Sequence, residues 1–252
     1  MRTAIITGAS SGLGREFARQ LTQVFPEVEC LWLVARRRDK LEQLRDALPE
    51  LQVELLPLDL CESASFAYIE EKLRLEQPNV TLLVNNAGCG YLGNVGEMPT
   101  DTQTRMVDIN VRALTAVTNL VLPYMKPGSR ILNVSSIASF CATPHMSVYA
   151  ATKAYVSRFT VGVTEEQRRR GIRATAVCPG PMETEFITVG GIAGKSRMFE
   201  ALPYCDQVRV AGGALRAARA GRTIYTPTAF YKLYRLLAKA MPEKLLVKLT
   251  KV

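Results

Sequence analysis

The chain has 252 residues, of which 48% are hydrophobic and 22% charged, and a net charge of +9. That length suits one large α/β unit with a continuous core, and the balance excludes a disordered or fibrous chain. Apolar runs such as "LLVNNAGCGYL" are broken by amides and glycines well short of the roughly 20 residues a membrane helix needs. Residues 2 to 7 lack the apolar stretch of an export signal and read as a strand. Six cysteines, at 30, 61, 89, 141, 178 and 205, are scattered without metal-ligand spacing. They are expected to be reduced and mostly packed as small core residues, in a cytoplasmic chain without a metal site.

In chain order, short apolar runs alternate with longer helical patterns. The expected strands are Thr3–Thr7, Leu31–Ala35, Val53–Leu58, Thr81–Asn85, Arg130–Val134, Arg173–Val177 and Thr223–Tyr225. Between them lie amphipathic segments such as "GREFARQLTQVF", "DKLEQLRDAL", "SFAYIEEKLRLE", "TQTRMVDINVRALTAVTNLVLPYM" and "YAATKAYVSRFTVGVTEEQRRR". Strand and helix in repeated alternation give a parallel sheet covered on both faces. Strands that are apolar throughout, rather than alternating, fit burial on both sides. The expected architecture is α/β, a doubly wound sheet of seven parallel strands in a single unit from 1 to 252.

The first strand runs into "TGASSGLGRE", residues 7 to 16. Gly8 permits a tight turn, Gly12 lets backbone approach a ligand, and Gly14 allows close packing of helix on strand. The helix that follows presents unpaired N–H groups, which suit a pyrophosphate. Further on, "SVYAATKAYVSRF" sets Tyr149 and Lys153 four residues apart, one turn of helix and one face. It follows "NVSSIAS", which holds Ser135 and Ser136.

"TGASSGLG", "NNAG" at 85–88, Asn110, Ser136, Tyr149-x-x-x-Lys153 and "PGPMET" at 179–184 stand in the order and spacing of one family. Over roughly residues 3 to 226 the chain resembles the short-chain dehydrogenase/reductases. The resemblance implies a Rossmann fold and hydride transfer between a nicotinamide cofactor and a carbonyl or alcohol. It implies Asn110, Ser136, Tyr149 and Lys153 as the catalytic group, Ser136 being taken over Ser135 because the family's serine lies thirteen residues before its tyrosine. It also implies a homodimer or homotetramer.

A free phenol has a pKa near 10 and is a poor acid–base group at neutral pH. A nearby cation lowers it, so Lys153 is expected to pull Tyr149 down. Ser136 would hold the substrate oxygen beside the phenol, and positioned groups of this kind contribute on the order of 10²–10⁴-fold in rate. In the family the lysine also meets the cofactor ribose, and the asparagine bends its helix and holds a water that links the lysine to solvent.

Cofactor choice rests on "LWLVARRRDK". A carboxylate after the second strand would bond the ribose 2′-hydroxyl; this chain has Ala35, then Arg36, Arg37 and Arg38. A guanidinium matches phosphate geometry, so NADP(H) is expected, with NAD(H) the alternative. Family members that prefer NADPH often place a basic residue where this chain has Ser11, which leaves the phosphate to Arg36 and Arg37. The remaining expected cofactor contacts are Ser10, Leu13, Asp59 at the adenine, and Leu60. Asn86, Ala87 and Gly88 follow, with Asn85 on the cleft wall, then Pro179, Gly180 and Met182, and Thr184 at the carboxamide.

Residues 185 to 204 are where the family carries its substrate lid. Phe186, Ile187, Ile192, Met198 and Phe199 suggest an apolar contact surface there, and "FCATPHM" at 140–146 another pocket wall. The only histidine, His145, is expected to line the pocket or sit in a loop. From Cys205 onward ten Lys or Arg face two acids, a local charge of +8. Within 228–252, Lys232, Arg235 and Lys239 fall opposite Phe230, Leu233, Tyr234, Leu237 and Met241 on a helical wheel. Such a helix packs on its own body or lies on an anionic membrane; no nucleic-acid motif accompanies the charge. The reading is a carbonyl reductase or alcohol dehydrogenase for an apolar or lipid-like small molecule. The alternatives are a 3-oxoacyl thioester reductase and a nucleotide-sensing or scaffold protein on the same fold.

Overall fold

The computed structural model describes residues 1–191 and 201–250. Ile192, Met198 and Phe199, and the last two residues of the basic segment, lie outside the described residues. Seven strands form one parallel sheet in the order β3-β2-β1-β4-β5-β6-β7. They are β1 Arg2–Thr7, β2 Cys30–Val34, β3 Gln52–Leu56, β4 Asn79–Asn85, β5 Met125–Val134, β6 Arg173–Val177 and β7 Ile224–Tyr225. The order reverses between β1 and β4, and in doubly wound sheets such a switch point opens a crevice at the carboxyl ends of the strands.

Both faces are packed. Leu31 and Leu33 of β2 point into one core with Phe17, Leu21, Val210 and Leu215. Trp32 and Val34 point into the other with Ile69, Leu73 and Val117. Each such side chain contributes about 1.5–3 kcal/mol on burial. This is why β2, "CLWLV", carries no polar residue.

Two elements depart from the pattern. β5 begins at Met125 rather than Arg130, and Met125 pairs with Val80 before the register shifts. Pro127 and Gly128 (φ +96°) interrupt the apolar run but stay in the strand, where Ser129 donates to Val80 O at 2.7 Å and accepts from Lys126 N at 3.1 Å. The stretch from 100 to 124 is not one helix. It runs as Thr100–Val107, a wider π turn at Asp108–Arg112, then Ala113–Val121 and a tight 3₁₀ turn. π turns recur at functional positions, and this one holds Asn110.

Candidate functional site

β1 ends in a turn built for close approach. Gly8 and Gly12 have φ of +66° and +51°, where a side chain is strained. A β-carbon on Gly8 would lie 2.8 Å from Ala87 Cα, and one on Gly14 would overlap the Gly8 carbonyl. Asn86 fixes the turn by donating from Nδ2 to Thr7 O at 3.1 Å and Gly8 O at 3.0 Å. Thr7 Oγ1 in turn accepts from the N–H groups of Asn86 and Ala87. No side chain caps the helix Gly12–Arg19, so its first N–H groups remain free for an anion. A dinucleotide fits this cradle. Asn85 differs from expectation. Its amide is buried between strands, donating to Thr118 Oγ1 and Asn133 Oδ1 at 2.9 Å, and it does not line the cleft.

The adenosine end is charged on both sides. Arg36, with 67% of its side chain exposed, stands 3.9 Å from Asp59. Arg105, from the helix Thr100–Val107, pairs with the same carboxylate at 3.0 Å. Burial raises the Asp59 pKa, but the Cys61 N–H, Arg105 and Arg36 outweigh it and hold the carboxyl below its ordinary range. Arg105 was not among the residues named from sequence; only the fold brings it to Asp59. Arg37 turns to Ser10 Oγ at 3.2 Å and to Glu185 at 2.8 Å.

Tyr149 and Lys153 share one face of the helix Ser147–Glu166, and both are buried. Lys153 Nζ donates to Val134 O at 2.9 Å and lies 5.7 Å from the Tyr149 ring centroid. Burial pushes the Tyr149 phenol up to about 12, with the Ser136 hydroxyl pulling the other way. Burial also lowers Lys153 to about 8. The expectation that Lys153 lowers the phenol is not met: burial raises it, and the Lys153 ammonium is turned to the Val134 carbonyl.

The two serines have different tasks. Ser135 donates inward to Lys153 O at 2.8 Å, whereas Ser136 lies beside the phenol and accepts from Ala138 N at 3.2 Å. Asn110 is buried in its π turn. Its Oδ1 accepts from Cys89 N at 3.0 Å, and its Nδ2 donates to Cys89 O at 2.8 Å and to Thr152 Oγ1 at 3.0 Å. It thus ties the loop after β4 to the helix of Tyr149, and Gly88 leaves the space, since a β-carbon there would sit 2.8 Å from Asn110 Oδ1.

Gly8, Gly12, Arg36, Asp59, Ser136, Tyr149 and Lys153 open on one cavity of about 720 Å³, whereas Asn110 and Gly14 stand behind its lining. Its lining includes the expected cofactor contacts Ser10 to Leu13, Arg36, Arg37, Asp59, Leu60, Asn86 to Gly88, Pro179, Gly180, Met182 and Thr184. His145 is a loop residue with φ +64° whose carbonyl accepts from Gly93 N.

The far wall comes from a segment whose role the sequence leaves open. The helix Ala229–Ala240 and the short helix Glu243–Leu249 after it fold back over the site. Tyr231 is fully buried, donates to Pro203 O at 2.7 Å and covers Gly180. Tyr234 meets Phe140, with ring centroids 6.0 Å apart. Thr250 donates to Ala142 O at 2.9 Å. Tyr234, Leu237, Met241 and Leu246 face the cavity. The packed side of this segment is thus the buried Tyr231 and Leu246, with Tyr234 and Met241 half-buried. Of the apolar side of the helical wheel, Phe230, Leu233 and Leu237 are 53, 58 and 45% exposed.

A family model described as short chain dehydrogenase matches residues 2–189. A short chain dehydrogenase of Pseudocercospora fijiensis is 32% identical over 191 residues, 73% of this chain and 61% of that protein. An NADP-dependent 3-hydroxy acid dehydrogenase of Schizosaccharomyces pombe is 36% identical over 194 residues, 75% of this chain and 74% of that protein. A solved short-chain dehydrogenase from Sphingobium yanoikuyae in complex with NADPH superposes with a TM-score of 0.82 at 28% identity, covering 95% of this chain and 93% of that one.

Proposed function

The chain belongs to the short-chain dehydrogenase/reductase family, and from that premise we propose that it is an NADP(H)-dependent reductase of apolar ketones or aldehydes. One observation carries the reading. The buried Tyr149 phenol and the Ser136 hydroxyl stand together on the lining of a cavity whose far wall is Tyr234, Leu237, Met241 and Leu246.

The nicotinamide, when bound, supplies or accepts the hydride. The glycine turn and the free N–H groups of the helix Gly12–Arg19 would hold its pyrophosphate. Arg36 and Arg37 would take the 2′-phosphate, and Lys153 the ribose hydroxyls. Ser136 holds the substrate oxygen, and Tyr149 O–H gives that oxygen its proton in reduction or removes it in oxidation. Asn110 keeps the loop after β4 and the helix of Tyr149 in register. A panel of ketones, aldehydes and oxoacyl thioesters assayed with NADPH and NADH tests the reading. Turnover of bulky apolar ketones, faster with NADPH, is the expected result; turnover confined to oxoacyl thioesters favours the alternative.

A second reading concerns the outward side of the basic segment. Leu233, Leu236 and Leu245 are 58, 64 and 53% exposed, among exposed Lys232, Lys239, Lys244 and Lys248. Apolar and cationic residues side by side suit the surface of an anionic bilayer. We propose peripheral contact there, beside the cavity that this same segment walls, and a homodimer or homotetramer as the family resemblance implies.

A further inference from the structure

Arg37 has a partner that the reading above leaves unused. Its Nη1 and Nη2 meet Glu185 Oε1 and Oε2 at 3.2 and 2.8 Å, and Nη2 also donates to Ser10 Oγ at 3.2 Å. Arg37 follows β2, whereas Glu185 opens the short helix Glu185–Val189 after β6. In the sheet those strands are separated by β1, β4 and β5. The bridge therefore spans the carboxyl edge of the sheet beside the glycine turn, where all three residues line the cavity.

The residue after Glu185 touches the catalytic phenol. Phe186 and Tyr149 have ring centroids 5.5 Å apart. Gly90 packs against both rings: a β-carbon on it would lie 2.6 Å from Phe186 Cζ and 2.7 Å from Tyr149 Cδ2. One peptide unit thus links the anion held by Arg37 to the ring packed on Tyr149.

We propose that Glu185 is an internal competitor of the cofactor's 2′-phosphate. Its carboxylate occupies the anion position formed by Arg37 and Ser10; a 2′-phosphate displaces it, and the displacement loosens Phe186 from Tyr149. NAD(H) lacks that phosphate and leaves the bridge and the ring contact in place. Glu185 then sets both the affinity ratio of the two cofactors and the packing over the phenol. The inference rests on the reading that this groove holds a nicotinamide dinucleotide.

Magnitudes favour the exchange. Guanidinium accepts carboxylate and phosphate in the same forked geometry. Both partners of the bridge are about half exposed, at 42 and 55%, and exposed ion pairs contribute only about 0–1 kcal/mol. A phosphate monoester carries about −1.5 to −2 charge at pH 7, against −1 on the carboxylate, so it wins the guanidinium.

The test compares 2′,5′-ADP with 5′-AMP, which differ only in the 2′-phosphate, by titration calorimetry on the full chain. Glu185→Gln should tighten 2′,5′-ADP roughly two- to fivefold, the range an exposed ion pair allows, and leave 5′-AMP unchanged. Arg37→Ala should abolish that gain. A reporter at the ring, Phe186→Trp, should change emission with 2′,5′-ADP and not with 5′-AMP. Equal changes for both nucleotides, no change for either, or weaker 2′,5′-ADP binding in Glu185→Gln would overturn the proposal. A wild type that binds neither nucleotide would instead overturn the dinucleotide reading, and this inference with it.

Discussion

Tyr231 lies over Gly180 so closely that any β-carbon at 180 would overlap its ring. That contact fastens the segment after β7 to the loop after β6, and the Tyr231 hydroxyl adds a hydrogen bond to Pro203 O at 2.7 Å. Gly180→Ala should force the ring away, at about 1–3 kcal/mol for overpacking. Tyr231→Phe removes only the hydrogen bond and should cost about 1 kcal/mol. Thermal denaturation should rank Gly180→Ala below Tyr231→Phe, at about 2–4 °C per kcal/mol for a chain of this size. Equal and negligible shifts would mean that the segment is not fastened there.

Lys153 is costly to bury. Its lowering from 10.5 to about 8 by desolvation corresponds to a penalty on the order of 3 kcal/mol for holding the charged form. A folded pKa below the unfolded one means that stability is gained above 10.5 and lost as pH falls through about 8. Lys153→Met removes the penalty and also the bond to Val134 O. The variant's melting temperature relative to wild type should therefore be most favourable near pH 7, and the advantage should shrink as pH rises from 8 to 10.5. A difference independent of pH across that window would contradict the burial account.

Much of this was legible in the sequence, because the dinucleotide cradle and the Tyr149–Lys153 face are local. Gly8, Gly12 and Gly14 act within one turn, and i, i+4 spacing on a helix fixes a shared face without long-range knowledge. What stayed hidden depends on the sheet. Arg105 meets Asp59 across 46 residues, Asn110 reaches Thr152 across 42, and Thr250 reaches Ala142 across 108. The helical wheel left open which side packs, and the body takes Tyr231, outside the apolar set, while Leu233 stays exposed.

Arg36 offers a direct check of cofactor choice. Its guanidinium is exposed and only loosely held at 3.9 Å from Asp59, so it is free to take a phosphate. Arg36→Ala should weaken NADPH by about 1.5–3 kcal/mol, the usual range for a bond to a charged group, and leave NADH nearly unchanged. Equal losses in calorimetry would show that Arg36 does not meet the 2′-phosphate.

The outward face of the basic segment is tested with vesicles. Each Lys or Arg near an anionic surface contributes about 1 kcal/mol, and salt screens the attraction over about 10 Å at 0.1 M. Wild type should co-sediment with anionic vesicles at low salt. The combined change Lys232→Glu, Arg235→Glu and Lys239→Glu should release it while reduction of a small soluble ketone persists. Absence of binding by wild type, with anionic lipid in excess, would leave that face without a membrane role.

The central claim is that the Tyr149 hydroxyl carries the proton. Tyr149→Phe keeps the ring against Phe186 and removes only the oxygen, so the cavity retains its shape. Single-turnover reduction of a ketone with bound NADPH, measured alongside NADPH affinity, separates the two roles. The account predicts loss of turnover by at least about 10²-fold, the lower end for a positioned acid, with affinity within a few-fold of wild type. Retention of most of the wild-type rate would contradict it.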